Sequence, residues 1–378
     1  MTKFKIPFIY QLHDTFNNPY PIPNKAEFEL ELDEEIGLLK QKYSPKIDKL
    51  LEKSYKLGSV LVGNTLKDKI GKEYTQGILN YIEKIQGHKE YKNKKILEIG
   101  CGEGHLLNEI KLKGGEVMGI EPGEEQINKH NTYNIPIIKG FYPHVTLKEK
   151  FDIIISYCVL EHIVNPIKFL EPLKKILTPG GRVYIIVPNN LPYIKEGDIS
   201  PFFHEHWSYF THISLNNLYK KINTNHTSIE ESPVGGLLYS SFSFKNSTTK
   251  NDSLNVDNSY YSNFFKLIEE NVKNIKSHLA TKEIVGIYAP IRIVNYIVNY
   301  NIDIKNIRFF DDSTLNHHKY FPDINIRIEN FNEFISNPPN KVIIMSKFFG
   351  ETIKTKIKKN IKRPINIILW EEIFRNNE

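Results

Sequence analysis

The residues best suited to chemistry begin with three glycines and two acids. The run Ile96-Leu-Glu-Ile-Gly-Cys-Gly-Glu-Gly104 places Glu98 two residues ahead of Gly100, with Cys101 between Gly100 and Gly102. A short apolar run leads into it, and a helix-like run over residues 105–113 follows. A strand that feeds a helix through a glycine-rich turn lets backbone N–H groups approach a ligand closely. The spacing is G-x-G-x-G rather than the G-x-G-x-x-G of a dinucleotide fingerprint. The next apolar run ends in Glu121, followed by Pro122. Parallel strands carry ligands at their carboxyl ends, where a carboxylate offers two acceptor oxygens to the two hydroxyls of a ribose. Polar and aromatic residues are densest at Pro201-Phe-Phe-His-Glu-His-Trp-Ser-Tyr-Phe-Thr211. On residue type alone His204, His206 and His212 could ligate a metal. A satisfied or proton-transferring histidine is the preferred reading, and no metal is expected.

Bringing these residues together requires a parallel α/β sheet. Strands are expected at residues 95–99, 116–121, 135–139, 153–155 and 182–187, with helices at 105–113, 124–131 and 167–177 between them. An antiparallel hairpin is expected from residues 229–233 and 237–244, divided by Gly235-Gly236. Ahead of the sheet, residues 69–86 read as a helix with Ile70, Tyr74, Ile78, Tyr81 and Ile82 on one face. Residues 33–55 read as one or two helices broken near Pro45, residues 26–32 as a short strand, and residues 1–23 as an irregular arm. Beyond it, helices are expected at 214–222 and 260–280, flanking a Ser/Thr/Asn-rich linker at 245–258. A second α/β unit begins at Glu283. Its strands are expected at 284–288, 307–310, 342–345 and 365–369, and its helices at 290–299 and 350–360. The expected segments are an arm over 1–68, a cofactor-binding domain over 69–245, a linker and long helix over 246–282, and a smaller lobe over 283–378.

At 378 residues the chain is long enough for two domains. Its net charge of +6 suits lysine-rich solvated faces, such as residues 354–362, or an anionic small-molecule substrate. Cys101 and Cys158 are the only cysteines, which excludes a disulfide framework and a cysteine zinc site. No signal-peptide pattern opens the sequence and no apolar run approaches the ~20 residues of a membrane span. A cytoplasmic location is expected. Asn337-Pro-Pro-Asn340 reads as a turn ahead of a late strand. With no aromatic-basic stripe either, a nucleic-acid partner is not expected.

Four stretches in order resemble class I S-adenosylmethionine (SAM) methyltransferases. They are the glycine turn with Glu98, the strand ending in Glu121, Ser156-Tyr-Cys-Val-Leu-Glu-His162, and Leu177-Thr-Pro-Gly-Gly-Arg182 before an apolar strand. The resemblance implies an α/β fold of the class I methyltransferase kind, a Rossmann-like seven-stranded sheet, here with a second, smaller α/β C-terminal lobe. It implies SAM as cofactor, with Glu98, Gly100, Cys101, Gly102 and Gly104 around the methionine part. Glu121 and Pro122 would lie at the ribose, and Ser156 near the sulfonium. Phe141 or Tyr142 would stack on adenine, core packing being the alternative for either. The helix at 69–86 would lie across the SAM pocket, with plain packing again the alternative.

From Tyr55 onward the chain also resembles bacterial sugar C-methyltransferases acting on nucleotide-linked deoxysugars. This rests on His204-Glu205-His206-x-Ser208-Tyr209-Phe210, on Gly286-Ile-Tyr-Ala-Pro290 and on Phe310-Asp-Asp312. It implies a small-molecule substrate, a keto sugar on a nucleoside diphosphate. His206 would be the base that forms an enolate and Glu205 its neighbouring acid; His162, read from its place after the fourth strand, would touch substrate or cap the strand end. Phe203, His204, Tyr209, Tyr288 and Arg292 would lie on the substrate side. The family's Tyr-x-Glu-His becomes Phe203-x-Glu205-His206 here, without the tyrosine hydroxyl, and the family's N-terminal cysteine zinc site has no counterpart. O-methylation or N-methylation with the same His206 are the alternatives. A non-catalytic scaffold is disfavoured by the intact Gly100, Gly102, Gly104 and Glu121. The sequence does not set the oligomeric state.

Overall fold

Five apolar runs pair side by side in parallel, and a hairpin closes one edge. In the computed structural model, which describes residues 3–8, 12–15, 22–57, 69–123, 133–245, 254 and 259–374, these strands form one sheet. They are β1 (Lys95–Ile99), β2 (Glu116–Glu121), β3 (Ile137–Lys139), β4 (Phe151–Tyr157), β5 (Leu177–Pro188), β6 (Thr224–Glu231) and β7 (Leu237–Phe244). Their spatial order is β6-β7-β5-β4-β1-β2-β3. β1 to β5 are parallel, and β7 runs antiparallel to both β5 and β6. The direction of winding reverses between β1 and β4, so the carboxyl ends of those strands flank the crevice where such sheets bind ligands. Ile96, Leu97, Ile99 and Ile153 to Ile155 are all buried. Burial on both faces is why these runs are continuously apolar rather than alternating.

This sheet belongs to a central unit, Glu31–Asn189 with Glu205–Asp257; the other unit gathers Met1–Leu30, Asn190–His204 and Asn258–Glu378. The division does not follow four consecutive segments. Within the central unit, helix Lys69–Gln86 has the expected bounds. Its Ile78, Tyr81 and Ile82 pack into the core with Tyr184 and Tyr239, so packing is what these three do.

Two expected helices differ. Within residues 33–55 only Pro45–Leu57 is helical, with proline at its first position. Before it the chain turns at Gly37 (φ 66°) and forms strand Leu38–Gln41, which pairs with Ser208–Tyr209 far along the chain. The stretch 167–177 is divided by Pro172 into helices Pro166–Leu170 and Leu173–Ile176, because proline supplies no N–H to continue the ladder. The helix expected at 124–131 and most of the linker at 245–258 lie outside the described residues.

The second unit holds a parallel sheet of β8 (Val285–Tyr288), β9 (Ile307–Phe310), β10 (Ile328–Glu329), β11 (Lys341–Ile344) and β12 (Asn366–Leu369). Its order is β10-β9-β8-β11-β12, with the same reversal beside its first strand. The helix expected at 290–299 is instead a 3-10 turn, Pro290–Arg292, followed by helix Val294–Tyr300. Residues 190–204 are pinned in this unit by a buried carboxylate. Asp198 accepts from Trp370 Nε1 (3.0 Å), the Tyr296 hydroxyl (2.8 Å) and both the N–H and hydroxyl of Ser200 (2.8 Å each). Asn295 Nδ2 donates to the carbonyls of Ile199 (3.0 Å) and Phe202 (2.7 Å). Burial raises the Asp198 carboxyl above its ordinary range, and the Ser200 and Tyr296 donors act against that rise.

Candidate functional site

The glycine turn between β1 and helix His105–Leu112 divides its work. Gly100 (φ +75°) packs so tightly that a Cβ there would meet Val159 Cγ2 at 2.3 Å. Gly102 (φ +51°) instead faces open space, with no atom within 4 Å of where a Cβ would stand. Both need the left-handed backbone that side chains disfavour. The turn and the end of β2 are joined through Glu121. Gly102 N–H donates to Glu121 Oε2 (2.9 Å) and Gly123 N–H to Oε1 (2.8 Å). The carboxylate is thereby oriented, and each oxygen keeps capacity for a further donor. Burial pushes this carboxyl up, and the two amides work in the opposite direction.

Glu98 is 3% exposed and its Oε2 has no hydrogen-bond partner among the described residues. Burial, with the charge of Glu121 added, raises it well above the carboxylate range. Ser156, at the end of β4, is fully buried and its hydroxyl likewise lacks a partner among the described residues. The Cys101 side chain turns into the core, where Gly119 leaves room for its sulfur, so only the backbone of Cys101 belongs to the turn. Pro122 is half-buried. Of the aromatic pair, Tyr142 packs edge-on against Phe169 (5.3 Å) in the core, while Phe141 is exposed.

SAM presents a cationic amino group, a ribose diol and a flat base. The partnerless oxygen of Glu98, the oriented carboxylate of Glu121, the exposed ring of Phe141 and the open space at Gly102 fit those three parts. On this basis Glu98, Glu121 and the turn's amides would hold the cofactor.

A second group stands after β4. Cys158 adopts φ 52°, uncommon for a residue with a side chain, and turns the chain into the 3-10 segment Leu160–His162. Glu161 is 1% exposed, its Oε2 lacks a partner among the described residues, and burial pushes its carboxyl up to about 8. His162 Nδ1 lies 2.9 Å from the Glu205 carbonyl oxygen. A carbonyl only accepts, so Nδ1 carries the hydrogen and Nε2 the lone pair. Burial lowers this imidazole to about 4, leaving it neutral at pH 7. The His206 ring meets it edge-on at 4.8 Å.

Ligand atoms of Glu161, His162 and His206 all lie within 4.8 Å of one another, a group that could hold a metal ion. It differs from the His204/His206/His212 set, because His204 belongs to the other unit and His212 is exposed. Glu161 is the residue that sequence reasoning missed. Its signal was an acid placed between apolar Val159-Leu160 and His162.

The remaining expected site residues are dispersed. Tyr209 is fully buried and paired with Leu39, and its ring stands 6.2 Å from that of His206, which keeps it beside the site. Glu205 is buried, and its backbone carbonyl serves His162. In the second unit, His204 sits between Phe8 (5.0 Å) and Phe28 (5.5 Å), with Nε2 3.3 Å from the Glu27 carbonyl. Burial lowers it to about 4, and it serves as a core histidine rather than a surface for substrate. Phe203 is 7% exposed. The Tyr288 hydroxyl donates to Asp312, and the Arg292 guanidinium lies over the Tyr193 ring at 5.3 Å.

Residues 71–229 match a family described as a methyltransferase domain. The mitochondrial ubiquinone biosynthesis O-methyltransferase of Rattus norvegicus is 30% identical over 181 residues, 43% of this chain and 51% of that protein. The ubiquinone biosynthesis O-methyltransferase of Aeromonas salmonicida is 30% identical over 107 residues, 26% of this chain and 45% of that protein. The chain spans about half the length of these curated relatives. Among solved structures, a SAM-dependent methyltransferase from Thermotoga maritima, described as a possible histamine N-methyltransferase, is 18% identical. That match has a TM-score of 0.38 and covers 47% of this chain and 91% of that one. Residues 71–229 thus carry the match to a methyltransferase domain, and the central sheet they contribute to has a Rossmann-like α/β topology. No helix among the described residues is long and apolar enough to cross a membrane.

Proposed function

We propose that the chain methylates a small molecule, a nucleotide-linked sugar, at a carbon beside a carbonyl, with His206 as the base. The observation that carries the cofactor half is the Glu121 carboxylate, held by the Gly102 and Gly123 amides across the turn from Glu98. SAM, when bound, supplies an electrophilic methyl group on a cationic sulfur. Glu121 accepts from the ribose hydroxyls, and Glu98, ionised by a neighbouring cation, holds the amino group. His206 removes the proton from the acceptor. His162, fixed by the Glu205 carbonyl as its Nδ1–H tautomer, buttresses the His206 ring. Glu161 and Ser156 bring buried polar groups to the same strand end.

The test is hydrogen exchange of nucleotide-linked 4-keto sugars in deuterated water. Exchange beside the carbonyl without SAM, lost in His206→Ala, is the expected result. Failure of every keto sugar to exchange or be methylated overturns the carbon-methylation reading.

A second reading, O-methylation of a hydroxyl acceptor by the same base, is favoured by the names of the curated relatives and by Phe203, which offers no hydroxyl to an enolate oxygen. Methylation of hydroxyl acceptors alone, without carbon-bound exchange, would select it.

A further inference from the structure

In the second unit a cavity of about 440 Å³ opens where β9 and β10 end, lined by Asp312, His317, Asn330, Phe331, Asn332 and Lys356. Its volume is within the ordinary range of small-molecule sites. Asp311 and Asp312 directly follow β9, and Asn330 directly follows β10. The sheet order β10-β9-β8-β11-β12 repeats that of the central sheet from β3 to β5, strand for strand. β9 therefore holds the place that β2 holds in the central sheet, and Asp311-Asp312 stand where Glu121 stands. An acid at the end of the second strand is where this topology receives a ribose.

The side chains at the cavity complete a receptor. Asp312 Oδ1 accepts from the Tyr288 hydroxyl and from Lys356 Nζ at 2.5 Å each. That leaves Oδ2 available to donors from outside, and the Asp312 side chain is 46% exposed. Lys356 Nζ is fixed from its other side by the Phe331 ring, 3.8 Å from the centroid, so the cation stands at the cavity rim already positioned. His317 Nε2 lies 3.0 Å from the Asp311 carbonyl oxygen. A carbonyl only accepts, so Nε2 donates to it and the ring is held at the cavity wall. The exposed Asn332 amide adds a donor and an acceptor.

We infer that this cavity is a second ligand site, taking a phosphorylated ligand with a vicinal diol: the diol on Asp312, the phosphate on Lys356. A ribonucleotide and a sugar phosphate share that chemistry. The inference stands apart from the methyl-transfer reading, since neither SAM nor His206 enters it.

The test is calorimetric titration of the full chain with two pairs of probes. One pair is uridine diphosphate and its 2′-deoxy form; the other is ribose 5-phosphate and 2-deoxyribose 5-phosphate. In at least one pair the diol-bearing member is expected to bind about tenfold tighter or more, the worth of a hydrogen bond to a charged group. Asp312→Asn is expected to remove that difference, and Lys356→Ala to weaken both members. The tighter-binding pair identifies the source. No binding by either pair, equal affinity within both pairs, or a difference that survives Asp312→Asn overturns the inference. The comparison within each pair needs only the unmodified chain, and SAM titration of the same samples reports the other site independently.

Discussion

At the scale of single residues the account turns on two carboxyls with different tasks. Glu121 is oriented by two backbone amides, and in the proposed reading its remaining capacity receives a diol. Glu121→Ala should weaken SAM binding by about tenfold or more while Glu121→Gln, which keeps one acceptor, should lose less; equilibrium dialysis with labelled SAM ranks them. Glu98 has the opposite character, a buried carboxyl that burial keeps protonated well above its usual range. Because its folded pKa exceeds its unfolded one, the stability it contributes is complete below about pH 4.3 and is lost as pH rises through the folded value. Urea denaturation of SAM-free protein from pH 4 upward should show that decline, and Glu98→Gln should make it shallower, the raised carboxyls of Glu121, Glu161 and Asp198 supplying the rest. A variant with an unchanged slope would remove Glu98 as its source. Glu121 was legible in the sequence because it ends an apolar run that can only be a strand. Glu161 was less so: its one local signal, an acid between Val159-Leu160 and His162, does not tell an acid that faces solvent from one sealed at a strand end with its carboxyl at about 8. His204 misled for a similar reason: its partners, Phe8 and Phe28, lie nearly two hundred residues earlier.

Among elements, the central parallel strands could be read from their continuous apolar runs, and the helices 69–86, 259–279 and 350–360 from their periodicity, whereas the two-residue strand β10 was not expected. Strand Leu38–Gln41 could not, because its pairing with Ser208–Tyr209 is set by distant chain and overrides the local helical look of the acids before it. Asp198 fixes the 190–204 stretch with four accepted hydrogen bonds. Asp198→Ala strands Trp370 Nε1, the Tyr296 hydroxyl and Ser200 in a buried site, and should cost about 3 kcal/mol or more. Chemical denaturation followed by tryptophan emission checks this, and a loss under about 1 kcal/mol would show that water or neighbours replace the carboxylate.

Taken whole, the chain carries two parallel sheets with one winding order, each with an acid at the end of its second strand. The central sheet could be read in advance because its glycine turn has a spacing tied to one chemistry. The second sheet has a single glycine in the matching run, Gly286 to Pro290, and the residues of its inferred site, Asp312, Lys356 and Phe331, come together only through the fold. With His206 as the proposed acceptor-side base, His206→Ala should abolish methyl transfer while leaving SAM affinity within about twofold; steady-state rates and dialysis on one preparation separate the two effects. The most direct measurement is a calorimetric titration of the purified chain with SAM. Saturable binding to one site per chain, weakened in Glu121→Ala, is the result expected; a folded protein that gives no binding heat up to millimolar SAM would contradict the account at its base.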